Sequence, residues 1–281
     1  MSLVAETLRR RRAALAVTYV VVVIENVFEL LYPFAIGLAI TGLLEDDWGG
    51  VVAFVALSLL HTIVGVSRQV WDTRSFHRLH VDLVAGLVER QRSEGVPTSA
   101  VAGRAQLAGE YVVFLESDVG TTITAAFAVI GSLVMLMIFD LQLGLVGLAL
   151  GIPVALVNTW LVRRSRRIHL AINDETERQV AVIETGDREA IRSHFRLLAF
   201  HGNRLSDTEA TSWGLVEVLS IGFSVFALWS AIESGADAGA IFATVAYAWA
   251  YVGGFDAVPT VLQRLASLGD IRRRLDAVAG A

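Results

Sequence analysis

The chain has 281 residues, 54% of them hydrophobic and only 18% charged, with a mean hydropathy of +0.59; soluble domains carry about 25% charged residues. It has no cysteine, which excludes a disulfide framework, a thiolate metal site and a cysteine nucleophile. All 23 basic residues are arginine. Without lysine no Walker A loop exists, because the lysine of that loop reaches the β- and γ-phosphates.

The four prolines stand singly and no Pro/Gly/Ser linker divides the chain, so one domain over residues 1–281 is expected. A bilayer core about 30 Å thick needs about 20 apolar residues in a helix. Six stretches meet that length: residues 15–40, 49–67, 121–139, 141–162, 215–232 and 238–261. The first follows the basic run Arg9 to Arg12, but it is too long for a secretory signal and is interrupted by Glu25 and Glu29, so it reads as a retained helix. Arginines fall only at 9–12, 68–104, 163–204 and 264–274, whereas the alternate connections are acidic or nearly uncharged. By the positive-inside rule the arginine-rich side is cytoplasmic, with both termini there, which implies a multi-pass protein of the cell (inner) membrane.

The two arginine-rich connections each run to about fifty residues, too long for structureless loops, and carry helical spacing at Leu79, Leu83, Leu87 and at Ile168, Ile172. Each is expected to be a helical hairpin, the first breaking at Gly95-Val96-Pro97, since proline disfavours helix in its predecessor. The fold class is therefore all-α, with six transmembrane helices and two long cytoplasmic hairpins.

Six crossings with hairpins after the second and fourth resemble the transmembrane domain of type IV ABC exporters. The run from Gly95 to Arg104 occupies the place of that family's first coupling helix, and Ser117-Asp118-Val119 precedes the third crossing. Pro153 matches a midmembrane proline in the fourth, with Arg163-Arg164-Ser165-Arg166-Arg167 at its exit, and Gly239 to Ala243 matches the start of the sixth. The resemblance places a second coupling helix at Glu184 to Phe195, which leaves a shortened return to Gly214. No Walker A or signature motif precedes Ala281, so any ATP hydrolysis is expected to belong to a separate nucleotide-binding partner. The resemblance also implies a homodimer, because one such domain is half of a cavity.

Charges at membrane depth are costly and mark substrate or ion sites. Glu25, Glu29, Glu217 and Asp256 qualify. Glu25 and Glu29 are spaced i, i+4, and Thr18 and Tyr32 extend the stripe by seven residues on either side of Glu25. Counting from the outer ends places Glu29 level with His61, close enough to bond, and Glu25 level with Glu217. Tyr247, Trp249 and Tyr251 on the sixth helix supply aromatic faces that attract cations. These eight residues are the expected substrate- or proton-binding set.

The function expected is a transporter that moves a small, cationic or amphipathic substrate by alternating access between two copies, coupled to ions or protons. The alternatives are a subunit energised by a separately encoded ATPase, and a sensor or scaffold that keeps the exporter fold. No cofactor and no nucleic-acid partner are expected. The arginine clusters sit at membrane exits, and His77-x-x-His80 lacks the four ligands of a closed zinc site. Gly147-x-x-x-Gly151 is read as close helix packing.

Overall fold

The computed structural model describes residues 3–258 and residue 261. It contains helices α1 (Leu3–Leu44), α2 (Gly49–Ser93), α3 (Thr98–Val113), α4 (Val119–Ala126), α5 (Ser132–Phe139), α6 (Leu141–Glu177), α7 (Gln179–Glu184), α8 (Arg188–Glu233) and α9 (Ala238–Gly254). No strand occurs among the described residues. Two single π-turns, Phe114–Asp118 and Phe127–Gly131, join α3, α4 and α5 into one helical run, and a 3-10 turn, Phe255–Ala257, follows α9.

Five of these runs are long and apolar enough to cross a membrane, and α9 is a shorter apolar helix of 17 residues. The five long runs exceed the length a bilayer core requires: α2 covers 45 residues and α8 covers 46. Their partner limbs, Thr98–Phe139 beside α2 and Leu141–Glu184 beside α8, span 42 and 44 residues. The two long hairpins are thus nearly equal, and the expected shortening of the second is not observed. Its cause is a displaced tip. The short helix at the tip is α7 at Gln179–Glu184, not the expected Glu184 to Phe195, and residues from Arg188 onward already belong to α8.

Local chemistry sets both tips. In the first, Gly95 adopts φ +76° and the amides of Gly95 and Val96 reach back to the carbonyls of Arg92 and Gln91, closing the end of α2 as a left-handed glycine cap. In the second, Gly186 takes φ +65° and Asp187 caps α8 through the Glu189 amide at 3.0 Å. At the opposite end Asp140 and Asp237 cap α6 and α9.

Packing follows size and polarity. The principal core lies between α5, α6, α8 and α9 around Leu136, Leu143, Val154, Phe223, Ala227 and Tyr247. A second core, Phe76, Leu79, Leu83, Ala108 and Val112, joins α2 to α3 in the arginine-rich hairpin. The helices α1 and α9 cross at glycine: a Cβ on Gly37 would stand 2.6 Å from the carbonyl oxygen of Gly239, so only glycine permits this approach. Thr41 then donates to Asp237 at 2.6 Å beside the crossing.

Candidate functional site

The face of α1 turned to α2 carries a polar residue every seven positions. Arg11 meets Asp82 at 2.6 Å, Thr18 donates to Asp72 at 2.8 Å, Glu25 pairs with Arg68, and the Tyr32 hydroxyl lies 2.9 Å from His61 Nδ1. A seven-residue step nearly completes two turns, so these groups form one seam. Arg68 also reaches Asp72 at 3.1 Å, one turn along its own helix. One guanidinium therefore holds two carboxylates. Gly65 makes room for this cluster, since a Cβ there would press within 2.9 Å of the Glu25 carboxylate.

Glu25 lies nineteen residues from Leu44, about 28 Å along the helix, which is close to the arginine-rich edge of a bilayer core. His61 bonds Tyr32 rather than Glu29 and packs against the Phe28 ring, with centroids 5.8 Å apart. Glu29 is exposed and meets no counter-charge among the described residues. Its separation from Glu25 has a simple cause: four residues turn 400°, which swings it about 40° out of the seam.

A different group of the expected residues shares a wall. Between α8 and α9 runs an open groove of about 260 Å³ lined by Trp213, Glu217, Ser220, Ser224, Trp249 and Gly253, among others. Glu217 lies sixteen residues from Glu233, about 24 Å along α8, and no counter-charge faces it among the described residues. Trp213 and Trp249 are 62% and 70% exposed, so their rings are free to meet a ligand. Aromatic faces beside an unmatched carboxylate are suited to a cation with apolar substituents. Trp213 was missed in the sequence, although its i, i+4 relation to Glu217 places it on the same face.

Tyr247 and Tyr251 stand elsewhere. Both are buried in the core, with hydroxyls donating to the Leu30 and Gly147 carbonyls at 2.7 Å each. They tie α9 to α1 and α6, which also accounts for Gly147 and Gly151 lying beside Tyr251. Asp256 belongs to the 3-10 turn after α9, and its side chain lies outside the described residues.

The arginine-rich hairpin holds one more buried polar pair. Glu175 Oε1 of α6 and His194 Nδ1 of α8 are 2.7 Å apart, and the other ring nitrogen of His194 is buried without a partner. Two connections at the opposite end carry shifted acids. The Ser230 hydroxyl holds the Asp140 carboxyl below its ordinary value, and the Thr41 hydroxyl does the same for Asp237, with backbone amides adding to each. Among the described residues no group of three or more metal-ligating side chains converges.

Comparison with curated proteins gives no match. The family model described as the ABC transporter transmembrane region matches residues 4–239, from the start of α1 to the start of α9. With that match over most of its length and with long apolar helices of the required kind, the chain belongs to the ABC transporter transmembrane region family and is a multi-pass membrane protein.

Proposed function

We propose that the chain is the membrane subunit of a transporter in which two copies enclose a cavity for a small cationic or amphipathic substrate. The observation that carries this reading is Glu217, a carboxylate at membrane depth with no counter-charge, on a groove walled by Trp213 and Trp249. A charge at that depth belongs in a water-filled cavity or against a partner, not against lipid. Glu29, exposed on α1 about 22 Å from Leu44, makes the same demand. A second copy would cover both. The arginine-rich side is the cytoplasmic one in this reading, with both termini there, and the membrane is the cell's inner membrane.

Energy is the point on which the geometry favours the alternative over proton coupling. Glu25 is matched by Arg68, so it serves the seam between α1 and α2. The two hairpins are equally long, and α7 presents Val180 and Ile183, 67% and 50% exposed, at the second tip. Such tips suit docking of a separately encoded ATPase. Glu29 and Glu217 then act as substrate groups.

Tryptophan fluorescence of the reconstituted protein, titrated with tetraphenylphosphonium, tests the site. Glu217→Gln removes the carboxylate charge but leaves both tryptophan faces, and is expected to weaken binding about tenfold, a loss of about 1.4 kcal/mol; unchanged binding would remove the cationic reading. Transport in proteoliposomes tests the energy source. Uptake that survives collapse of the proton gradient and requires ATP with a partner ATPase is expected. Uptake abolished by collapsing the gradient would restore proton coupling, and binding without net movement would favour a sensor.

A further inference from the structure

We propose that the cleft between α6 and α8 at the arginine-rich edge of the membrane binds the phosphate of an anionic phospholipid, through Arg164, Arg167, His201 and Arg204.

The register of the two helices creates the site. Asp140 accepts from Ser230 at one end of the pair, and Glu175 meets His194 near the other. Between these ties, Arg164 stands eleven residues before Glu175 and Arg204 ten after His194, so the two arginines lie level; Arg167 lies level with His201 by the same count. The four side chains line one cavity of about 230 Å³. None of the three guanidiniums has an ion-pair partner among the described residues; Arg204 lies over the Phe200 ring, 5.6 Å from its centroid. Positive groups that face each other without a carboxylate repel unless an anion joins them, and planar guanidiniums match phosphate oxygens in geometry.

Depth and shape select a lipid. Arg164 lies twenty-four residues from Asp140, about 36 Å along α6, beyond a core of about 30 Å and in the headgroup layer. A second cavity of about 330 Å³ shares Arg164 and Arg167 and continues toward the membrane past Leu156 and Trp160, which are 66% and 42% exposed. Taken together, the two cavities that share Arg164 and Arg167 are basic at one end and apolar at the other. A free phosphate would use only the first part, whereas a phospholipid places its phosphate among the arginines and an acyl chain along Leu156 and Trp160. Basic pockets between membrane helices at this level are suited to such headgroups.

The full chain, purified in a nonionic detergent, is titrated with phosphatidylglycerol or with phosphatidylcholine, and bound lipid is counted by native mass spectrometry. Phosphatidylglycerol is expected to bind in preference, and Arg164→Gln/Arg167→Gln/Arg204→Gln to weaken its retention at least about tenfold. Arg74→Gln/Arg192→Gln/Arg196→Gln removes equal charge away from the cleft and is expected to leave retention within about twofold. Should the first triple variant lose its thermal transition, Arg204→Gln alone is used, with about fivefold weakening expected. Equal binding of the two lipids, equal loss in both triple variants, or displacement of phosphatidylglycerol by millimolar inorganic phosphate would each overturn the proposal.

Discussion

In the pair α1 and α2, Glu25 meets Arg68 and Arg11 meets Asp82; in the pair α6 and α8, Arg164 lies level with Arg204 and Arg167 with His201. Both are long antiparallel pairs, and both carry a charge near the arginine-rich membrane edge. The first satisfies its charges internally along a seven-residue seam, so polarity there fixes register. The second is held by Asp140 with Ser230 and by Glu175 with His194, and leaves its remaining charges facing outward or facing one another. Matched charge makes a scaffold; unmatched charge at membrane depth leaves something for a ligand to do.

The largest break in this contrast is expected at Arg68→Ala, which strands Glu25 and Asp72 together. Removing one partner of a buried pair costs about 3–5 kcal/mol; Arg68 keeps 31% of its side chain exposed, so about 2–3 kcal/mol is expected, read as a lowered thermal transition in lipid nanodiscs. Arg68→Gln combined with Glu25→Gln should recover part of that loss, because one of the two stranded charges is gone while Asp72 keeps its bond from Thr18. Failure of Arg68→Ala to lower the transition would show that the seam does not hold the pair.

Next in size is His194→Ala. It leaves the buried Glu175 carboxylate with only Arg178, at 3.5 Å, and should cost about 1–2 kcal/mol, the range for an unsatisfied buried acceptor. Hydrogen exchange should accelerate around residues 175–195 and not in α1. A smaller effect of opposite sign sharpens the comparison. Arg204→Glu sets an acid level with Arg164 and is expected to raise stability by about 0.5 kcal/mol, as an exposed ion pair does, whereas Asp82→Arg in the first pair should lower it by a similar amount.

The smallest effect concerns acid. Hydroxyls and amides donating to the charged forms hold the Asp140 and Asp237 carboxyls below the ordinary aspartate value in the folded chain. A depressed folded value means that their stabilisation is fully present above the ordinary value and is lost as pH falls through the lowered one. Asp237 is exposed and Asp140 only partly buried, so the change should be slight and confined to pH below about 4. Asp140→Asn should remove part of that acid dependence while leaving the thermal transition at pH 7 nearly unchanged.

The sequence alone determined the membrane lengths, the segregation of arginine to one side and the first tip at Gly95, because each depends on local composition and on 1.5 Å of rise per residue. It also carried the resemblance to the exporter membrane domain, which the match over residues 4–239 bears out at the level of family. The second tip was legible too, in Gly186 and Asp187, but analogy drew the expected coupling helix past them to Phe195. Only the tertiary structure decided what each charge faces. Glu25 and Glu29 differ by about 40° around one helix, and that small rotation puts one against Arg68 and leaves the other exposed. Tyr247 and Tyr251 likewise share a helix with Trp249, yet they are core while Trp249 lines the groove. Periodicity ranks residues around an axis; the neighbouring helices, placed by contacts far apart in the chain, set where the buried side of that axis begins.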